Sequence, residues 1–344
     1  MGMKERLEMV RSLIEGTALE SRLPPAYPPV AIEIDGDGIT GVRVVADRKS
    51  GRLVVRHAVR RDLPAGAMEP SLVRPNILDE EAVGAALDEI LKALGPVEHR
   101  VSLLVPDHSA RVALLGFNAL PGTRSELFDM VRFRMAKSLP FRAEDAALDV
   151  MPIGGSANAA VGASAGSVLA VFMHRPVLEQ YETLLTRRGR WPGLVGLSTL
   201  ELFNLFRGRL DRDGRDHDQM LLNLTRRYLS LLIMSQGQVL FYRCKPHPDG
   251  ADLGADFAGL RREIYTSLAF YQEKLLGRGI GKIHLRVAGM PQEAVAEAVR
   301  SEGGAPVETL DLAQCVTAGE GVTLDPDTAT QVAAAVGGAA GRRP

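Results

Sequence analysis

The stretch Val30–Val59, VAIEIDGDGITGVRVVADRKSGRLVVRHAV, decides the fold because it holds three apolar runs separated by short polar turns. The runs Val30–Ile34, Ile39–Ala46 and Arg52–Val59 are rich in Val and Ile, which favour strands. Turns rich in Asp, Gly and Ser between such runs are typical of β-hairpins. The stretch therefore predicts three antiparallel strands.

The same order of elements recurs later in the chain. The runs Met220–Leu224, Tyr228–Met234 and Gln238–Cys244 predict three more strands joined by short turns. In both copies helices and strands then alternate, so a unit β-β-β-α-β-α-β-α occurs twice. These later elements are predicted at Asp79–Leu94, Val101–Val105, Pro176–Arg188, Leu194–Leu197 and Thr199–Arg207 in the first copy, and at Leu253–Leu276, Ile283–Val287, Gln292–Ser301, Val307–Leu310 and Thr328–Val336 in the second.

Several segments lie outside the repeat. An insertion at about 111–173 interrupts the first copy, and it holds a predicted helix, Ser125–Ser138, and a predicted strand, Val168–Phe172. Between these two elements lies the low-complexity loop Gly154–Gly166. The other segments are an amphipathic surface helix or tail at Met1–Arg22, a stiff Pro-rich linker at Pro24–Pro29, and a charged linker at Arg209–Asp218. We therefore expect a helical arm at 1–29, a first lobe at 30–208 and a second lobe at 219–344.

Composition and charge narrow the classes of function. The length of 344 residues, 46% of them hydrophobic, suits two globular domains. Lys and Arg number 41 against 42 Asp and Glu, so charge gives no reason to expect nucleic acid as a partner. Two cysteines, Cys244 and Cys315, exclude a disulfide framework and indicate a reducing compartment. No stretch reaches the about 20 apolar residues of a membrane span, and the charged N-terminus is not a signal peptide, so we expect a cytosolic protein.

The predicted order of elements also indicates a fold class. Three antiparallel strands followed by parallel crossovers form a mixed five-stranded α/β sheet with helices on both faces. Two such sheets facing each other across a central cleft make up the duplicated RNase H-like architecture of actin-like and sugar-kinase-like proteins. In that architecture ATP lies in the cleft, where the first hairpin turn of each copy approaches the phosphates.

Longer passages carry a resemblance to one family. From about Val30 to Arg343 the sequence resembles PilM, the actin-like protein of type IV pilus assembly, which is related to FtsA and GspL. The turn Lys137–Phe141 and Arg243 are among the matching positions. The passages are VSLLVPDHSARVALLGFNALP (101–121), ELFDMVRFRMAKSLPFRAEDAALDV (126–150), VLAVFMHRPVLEQYETLLTRRGRWPGLVGLSTLELFNLF (168–206), QGQVLFYRCKP (236–246), LRREIYTSLAFYQ (260–272) and QVAAAVGGAAGRR (331–343).

The resemblance implies a nucleotide cleft, but its three motifs depart from the ATP-binding pattern. In ATP-binding members the first motif is Asp-x-Gly followed by residues with small hydroxyl side chains, and Glu33, Asp35 and Thr40 stand at those places here. The second phosphate turn and the adenosine turn also differ from the family pattern. A carboxylate at Asp35, where backbone would cradle a polyanion, is unfavourable. We therefore expect a degenerate, non-hydrolysing site with no certain cofactor, and keep ATP with Mg²⁺ as the alternative. The candidate residues of this cleft are Asp35, Gly36, Asp37, Gly38, Thr40, Asn223, Thr225, Ala288 and Gly289.

The inserted helix is a candidate partner site. Met-rich and aromatic helix faces suit peptide grooves, although the same residues could simply pack the insertion onto the sheet. The resemblance implies that a groove beside this helix binds the N-terminal cytoplasmic peptide of a PilN-like inner-membrane protein. The candidate residues are Leu127, Met130, Val131, Arg134, Met135 and Phe141.

Other polar clusters have plainer interpretations. The adjacent residues Asp107-His108-Ser109 cannot form a triad, which needs convergence from separate elements, and are expected to shape a loop. Asp216-His217-Asp218 and His247 lack the ligand spacing of a zinc site. Arg226-Arg227 could hold an anion, but a solvated turn is the simpler interpretation.

The resemblance implies a non-enzymatic, cytoplasmic adaptor of a type IV pilus or related type II secretion platform, held at the inner membrane by its partner. A pilus motor ATPase and a second copy of the chain are further candidate partners. The alternative is an active actin-like ATPase that couples ATP binding to pilus assembly. A sugar or acetate kinase would need a catalytic carboxylate between the lobes, and the first turn of neither copy offers one in a convincing place.

Overall fold

The computed structural model describes residues 27–47, 50–96, 98–153, 166–214, 216–247 and 257–341. The predicted arm Met1–Arg22, the start of the Pro-rich linker and nearly all of the loop Gly154–Gly166 lie outside these ranges. No helix in the described part of the chain combines the length and apolar character needed to cross a membrane.

Fourteen strands and seven α-helices make up the described chain, and every strand and helix predicted within those ranges is present. The strands are β1 (Val30–Asp35), β2 (Gly38–Ala46), β3 (Leu53–Asp62), β4 (Arg100–Val105), β5 (Ala110–Phe117), β6 (Ala146–Ile153), β7 (Gly166–His174), β8 (Trp191–Leu197), β9 (Asp218–Thr225), β10 (Tyr228–Ser235), β11 (Gln238–Pro246), β12 (Ile280–Ala288), β13 (Val307–Thr309) and β14 (Val316–Ala318). The helices are α1 (Glu80–Ala93), α2 (Arg124–Met135), α3 (Arg175–Thr186), α4 (Ser198–Asp213), α5 (Ala258–Lys274), α6 (Gln292–Gly303) and α7 (Pro326–Ala340).

Two mixed sheets carry the duplicated unit. The first has the order β14-β3-β2-β1-β4-β8 and the second has the order β11-β10-β9-β12-β13. In each, the first three strands of the unit are antiparallel, the fourth strand pairs in parallel with the first, and the fifth pairs in parallel with the fourth. The two-lobe α/β fold class is therefore confirmed.

The helices form three layers around the two sheets. One apolar cluster covers the outer face of the first sheet with α1 and α3, and another covers the second sheet with α5 and α6. A third cluster lies between the sheets and joins residues of α4 and α7 to residues of both, such as Val42 and Leu232. Because α4 and α7 are shared, the two lobes have a common core between them.

The C-terminal part of the chain returns to the first lobe. Strand β14 pairs in parallel with β3, giving the first sheet a sixth strand instead of the predicted five. Helix α7 packs on β1, β2 and α4. A Cβ atom added at Gly337 would overlap the carbonyl oxygen of Glu201, so the small residues of α7 permit close approach to α4. Part of the predicted second lobe at 219–344, the segment 316–340, thus also covers the apolar face of the first sheet.

The predicted linker Arg209–Asp218 is wrong at both ends. Helix α4 continues to Asp213, since Phe206 and Leu210 extend its buried face. Strand β9 already begins at Asp218, whose buried carboxylate accepts hydrogen bonds from Tyr271 (2.6 Å) and Arg278 (2.9 Å). The predicted start of the helix Leu253–Leu276 lies outside the described residues, and α5 begins at Ala258.

The insertion folds as a small subdomain. Its sheet has the order β5-β7-β6, and α2 packs on it. The sequence predicted β7 and α2, but not β5 and β6. Both missed strands are only partly buried, so they lack the long apolar runs that mark the strands of the main sheets.

Candidate functional site between the lobes

The first hairpin turns of the two lobes face each other. The β1–β2 turn contains Asp37, and the β9–β10 turn contains Arg227, whose Nε lies 2.6 Å from Asp37 Oδ1. A Cβ atom at Gly36 would lie 3.1 Å from Arg227 Cγ, so a side chain there would crowd this contact. The two predicted phosphate turns are therefore joined by an ion pair between them.

Two predicted site residues stabilise the turns themselves. The Oγ1 atom of Thr225 accepts hydrogen bonds from the backbone N–H groups of Arg227 (3.1 Å) and Tyr228 (3.2 Å). The Oγ1 atom of Thr40 accepts from Arg60 at 3.3 Å. Both hydroxyl groups are buried and already engaged within the hairpins.

The predicted adenosine turn is tied to the same arginine pair. Gly289 follows β12 with φ +75°, a conformation that glycine adopts without strain. Its carbonyl oxygen accepts a hydrogen bond from Arg226 Nε at 2.5 Å. Arg226 and Arg227 therefore connect all three predicted turns, although Arg226 is also exposed to solvent.

Asp35 ends β1 next to the ion-paired turn. Its Oδ1 atom accepts a hydrogen bond from the N–H of Gly36 at 2.7 Å. Burial, with the nearby Glu33 carboxylate, raises the pKa of Asp35 from 3.8 to about 7. The side chain thus takes up a proton near neutral pH, at the point where a phosphate would lie.

Replacing Asp35 by Asn is expected to change the pH dependence of stability. The pKa of Asp35 is higher in the folded chain than in the unfolded chain. The free energy of unfolding therefore falls as pH rises from 3.8 to about 7. The substitution Asp35→Asn should therefore stabilise the protein at pH 8 and have less effect at pH 5, as measured by urea unfolding. Asp129→Asn, at a carboxylate with 75% exposure on α2, serves as the control. An effect of Asp35→Asn that is equal at both pH values contradicts the assignment.

Asn223 lies at the centre of a buried network. Its Nδ2 donates to Thr199 Oγ1 at 2.7 Å, and its Oδ1 accepts from Arg286 Nη1 at 3.0 Å. The guanidinium of Arg286 also donates to the carbonyl oxygens of Thr330 (2.8 Å) and Gln331 (2.9 Å) in α7. Through this network β9 and β12 of the second lobe are connected to α4 and α7.

Asp107 joins the lobes at a second point. It follows β4 and is fully buried, and its carboxylate accepts hydrogen bonds from the N–H of Thr199 (3.1 Å) and from Ser230 Oγ on β10 (2.5 Å). Burial raises the pKa of this carboxyl, against the hydrogen bonds from Ser230 and Thr199. Sequence reasoning assigned Asp107 only to a loop. The sequence could have indicated a site residue here, because Asp107 directly follows a parallel strand at the sheet edge where the hairpin turns lie.

Glu33 completes the polar centre from β1. Its Oε1 atom accepts a hydrogen bond from Ser198 Oγ at 2.7 Å. Its Oε2 atom is buried and has no hydrogen-bond partner among the described residues. Glu33 and Asp107 are therefore two buried carboxylates held by hydroxyl or backbone donors of the protein.

The residues predicted on the insertion separate into two groups. Leu127, Val131 and Met135 are buried in the subdomain's own core, as the packing interpretation of this helix expects. Met130 is partly buried against that core, and Arg134 is exposed. Phe141 stacks on His174, with ring centroids 4.7 Å apart, where the subdomain meets α3.

A carboxylate-histidine cluster outside the cleft is explained by ion pairing. Ligand atoms of Asp213, His284 and Glu308 lie within 4.8 Å of one another. The ammonium of Lys282 occupies the space between the carboxylates, at 2.8 Å from Asp213 and 3.0 Å from Glu308. The hydrogen bonds that the Lys282 ammonium donates to both carboxylates raise its pKa. The cluster is therefore a structural ion-pair network.

The topology and the position of the polar centre define an actin-like, two-lobe protein. No protein-family model matches the sequence, and no curated protein sequence matches it. Solved structures with related folds include a protein of actin-like ATPase fold and unknown function from Bacteroides thetaiotaomicron (TM-score 0.46, 9% identity, 85% of this chain and 93% of that chain). The cytoplasmic domain of EpsL, an inner-membrane component of the Vibrio cholerae type II secretion system, gives a TM-score of 0.44 at 11% identity over 88% of this chain and 92% of that chain.

A more similar fold is found in the structure described as the PilM–PilN type IV pilus biogenesis complex. It superimposes with a TM-score of 0.73 and covers 93% of this chain and 100% of that chain. The sequence identity is 16%, so the likeness is one of fold. The fold that the resemblance to PilM implies is therefore confirmed over 93% of this chain.

Proposed function

We propose that this chain is a cytoplasmic actin-like adaptor of a type IV pilus or related type II secretion platform. It binds the N-terminal cytoplasmic segment of a PilN-like membrane protein, which holds it at the inner membrane, and it does not hydrolyse ATP. The fold shared with the structure of a PilM–PilN complex supports the assembly role. A pilus motor ATPase and a second copy of the chain are further proposed partners.

The ion pair between Asp37 and Arg227 is the observation that carries the non-enzymatic part of this proposal. Magnesium-bound nucleotide fits the present residues poorly, because the Asp35 carboxyl lies in the first phosphate turn. In addition, the cationic Arg286 contacts Asn223, where a magnesium-bound water would lie. The protein's own side chains and backbone thus satisfy Asp37, Thr40, Asn223 and Thr225, which were predicted to face a nucleotide.

The proposed peptide site lies where the insertion meets the first lobe. Of the predicted residues, Arg134 is exposed and Met130 and Phe141 are partly buried, and Phe141 is positioned by its stacking on His174. Apolar pockets and backbone hydrogen bonds would hold the peptide, as they do in other peptide-binding proteins.

Phe141→Ala is expected to weaken binding of that peptide by about tenfold, since an aromatic anchor contributes a large share of interface energy. The measurement is calorimetric titration with the N-terminal peptide of the single-span membrane protein encoded beside this chain. Phe133→Ala is the matched control, because Phe133 is 86% exposed on α2 of the same insertion and projects about 160° away from the buried Val131. Unchanged binding by Phe141→Ala, with a folded protein, would refute this site.

An active ATPase is the second candidate function, and the unpartnered Glu33 Oε2 favours it. A buried carboxylate oxygen without a donor is the kind of group that a hydrated cation would satisfy. Magnesium-dependent ATP binding that Glu33→Gln abolishes, with phosphate release, would establish this function in place of the first.

A further inference from the structure

Strand β8 forms one edge of the first sheet, and it has no charged side chain. In the part of the chain that the structure describes, it pairs only with β4. Its sequence, WPGLVGL, is apolar throughout, whereas the edge strands β5, β6 and β11 contain Arg111, Asp149 and Lys245. Charged side chains are a common means by which an edge strand avoids association with other strands. The edge of β8 therefore depends on some other form of protection.

Two large apolar side chains of β8 are exposed beside this edge. Trp191 is 53% exposed and Val195 is 36% exposed. Trp191 pairs with Arg100 of β4 and Val195 pairs with Leu103, so the two side chains lie on opposite faces of the sheet. They flank the free edge, one on each face, and a ligand that contacts both must therefore lie along the edge itself.

The backbone of β8 is poorly suited to pairing with a further strand. Pro192 has no N–H group to donate, and the register with β4 shifts next to it, between Val101 and Ser102. A proline and an irregular register both oppose the addition of a strand. The exposed side chains thus favour a ligand that covers the edge with side chains of its own, such as an amphipathic helix.

The N-terminal arm joins the described structure next to this edge. A Cβ atom at Gly193 of β8 would lie 3.1 Å from Cγ of Pro28, so the segment that leads into β1 contacts β8. The described chain begins at Tyr27, one residue before this contact, and 26 residues precede it in the sequence. The arm is therefore attached beside the uncovered edge.

The sequence of the arm fits such a surface. Leu7, Val10 and Ile14 recur at helical spacing and predict one apolar stripe with charged residues around it. Twelve residues lie between Ile14 and Tyr27, and a segment of that length spans up to about 40 Å, so the stripe can reach β8. A short linker also gives the stripe an effective concentration of the order of 1 mM at the edge, which favours docking within one chain even when the contact is weak.

We propose that the N-terminal arm, residues 1–22, docks as a helix along the free edge of β8 in its own chain. The apolar stripe packs on Trp191 and Val195, and the charged side chains of the arm face solvent. The docked arm covers a strand edge that has no charged side chain to protect it. This contact does not depend on the proposed binding of a membrane partner.

Trp191 is the only tryptophan of the sequence, so its fluorescence reports on this edge alone. The test measures the quenching of Trp191 by acrylamide in the full chain and in the variant Val10→Asp, which puts a charge into the apolar stripe. We expect about threefold stronger quenching in the variant, because a charge buried in an apolar contact is unfavourable and releases the arm from Trp191. The emission maximum should move to longer wavelength at the same time.

Ser12→Asp is the matched control. It introduces the same charge about 160° away from Val10 on the predicted helix, so it should leave the quenching of Trp191 as in the parent. Equal quenching in the parent and Val10→Asp, or the same increase in Ser12→Asp, would overturn the proposal. Thermal melts of all three proteins should coincide, because neither substitution touches a described helix or strand.

The concentration of protein distinguishes the arm of the same chain from a second copy. Docking within one chain predicts that the quenching of Trp191 stays constant over an about hundredfold range of protein concentration, since an intramolecular contact does not depend on it. Quenching that weakens as the concentration rises would assign the cover of β8 to a second copy of the chain and would overturn the proposal.

Discussion

Replacing Arg286 by Met is expected to lower the free energy of unfolding by about 3 kcal/mol, because the substitution removes a buried cation that makes three hydrogen bonds. The Oδ1 atom of Asn223 would lose its donor in a fully buried position. The contacts of α7 with β12 would be lost at the same time. The measurement is urea unfolding followed by far-ultraviolet circular dichroism.

Arg300→Met is the matched control for this experiment. Arg300 is an arginine on α6 that pairs with two exposed carboxylates, Glu293 and Glu297, and such solvent-screened surface pairs contribute little to stability. If the Arg286 and Arg300 variants have the same stability, Arg286 does not connect the lobes as described.

Gly337→Val is expected to displace α7 and to destabilise the protein by about 3 kcal/mol or more. Any Cβ atom at position 337 overlaps the carbonyl oxygen of Glu201, and the backbone of α4 cannot move aside as a flexible side chain could. Since α7 covers β1 and β2, its displacement would expose the apolar core between the sheets. Differential scanning calorimetry and binding of a hydrophobic dye measure the two effects.

Gly208→Ala provides the control on the partner helix α4. A Cβ atom there would lie 4.0 Å from its nearest neighbour, Arg212 Nη1, so it meets no obstacle. Alanine should stabilise this helix position by about 0.5–1 kcal/mol. If Gly337→Val melts at the parent temperature, close packing of α7 on α4 is refuted.

The repeat and the hairpins could be predicted from the sequence because their signals are local. The turn at Asp35–Gly38 and the Val- and Ile-rich runs beside it specify strands within a short window, and the second copy repeats the order. Strands β5 and β6 were missed because they are half-buried strands of a small sheet. The return of β14 and α7 to the first lobe depends on contacts between distant parts of the chain, which no local pattern encodes.

The candidate site could be predicted only in part for the same reason. The structure brings the three candidate turns together around Arg226 and Arg227. The contacts of Asp107 with Ser230 and of Arg286 with α7 join residues more than 40 positions apart. A charged residue in an apolar strand, such as Arg286 in β12, is a signal that a buried partner exists, but its identity requires the fold.

The central claim is that the folded chain binds its membrane partner without needing a bound nucleotide. The most direct test is a calorimetric titration of the nucleotide-free chain with the partner's N-terminal peptide, repeated with ATP and Mg²⁺ and with phosphate release monitored. The account predicts the same affinity in both titrations and no release of phosphate. Binding that requires ATP, or no binding of the peptide by the folded chain, would contradict it.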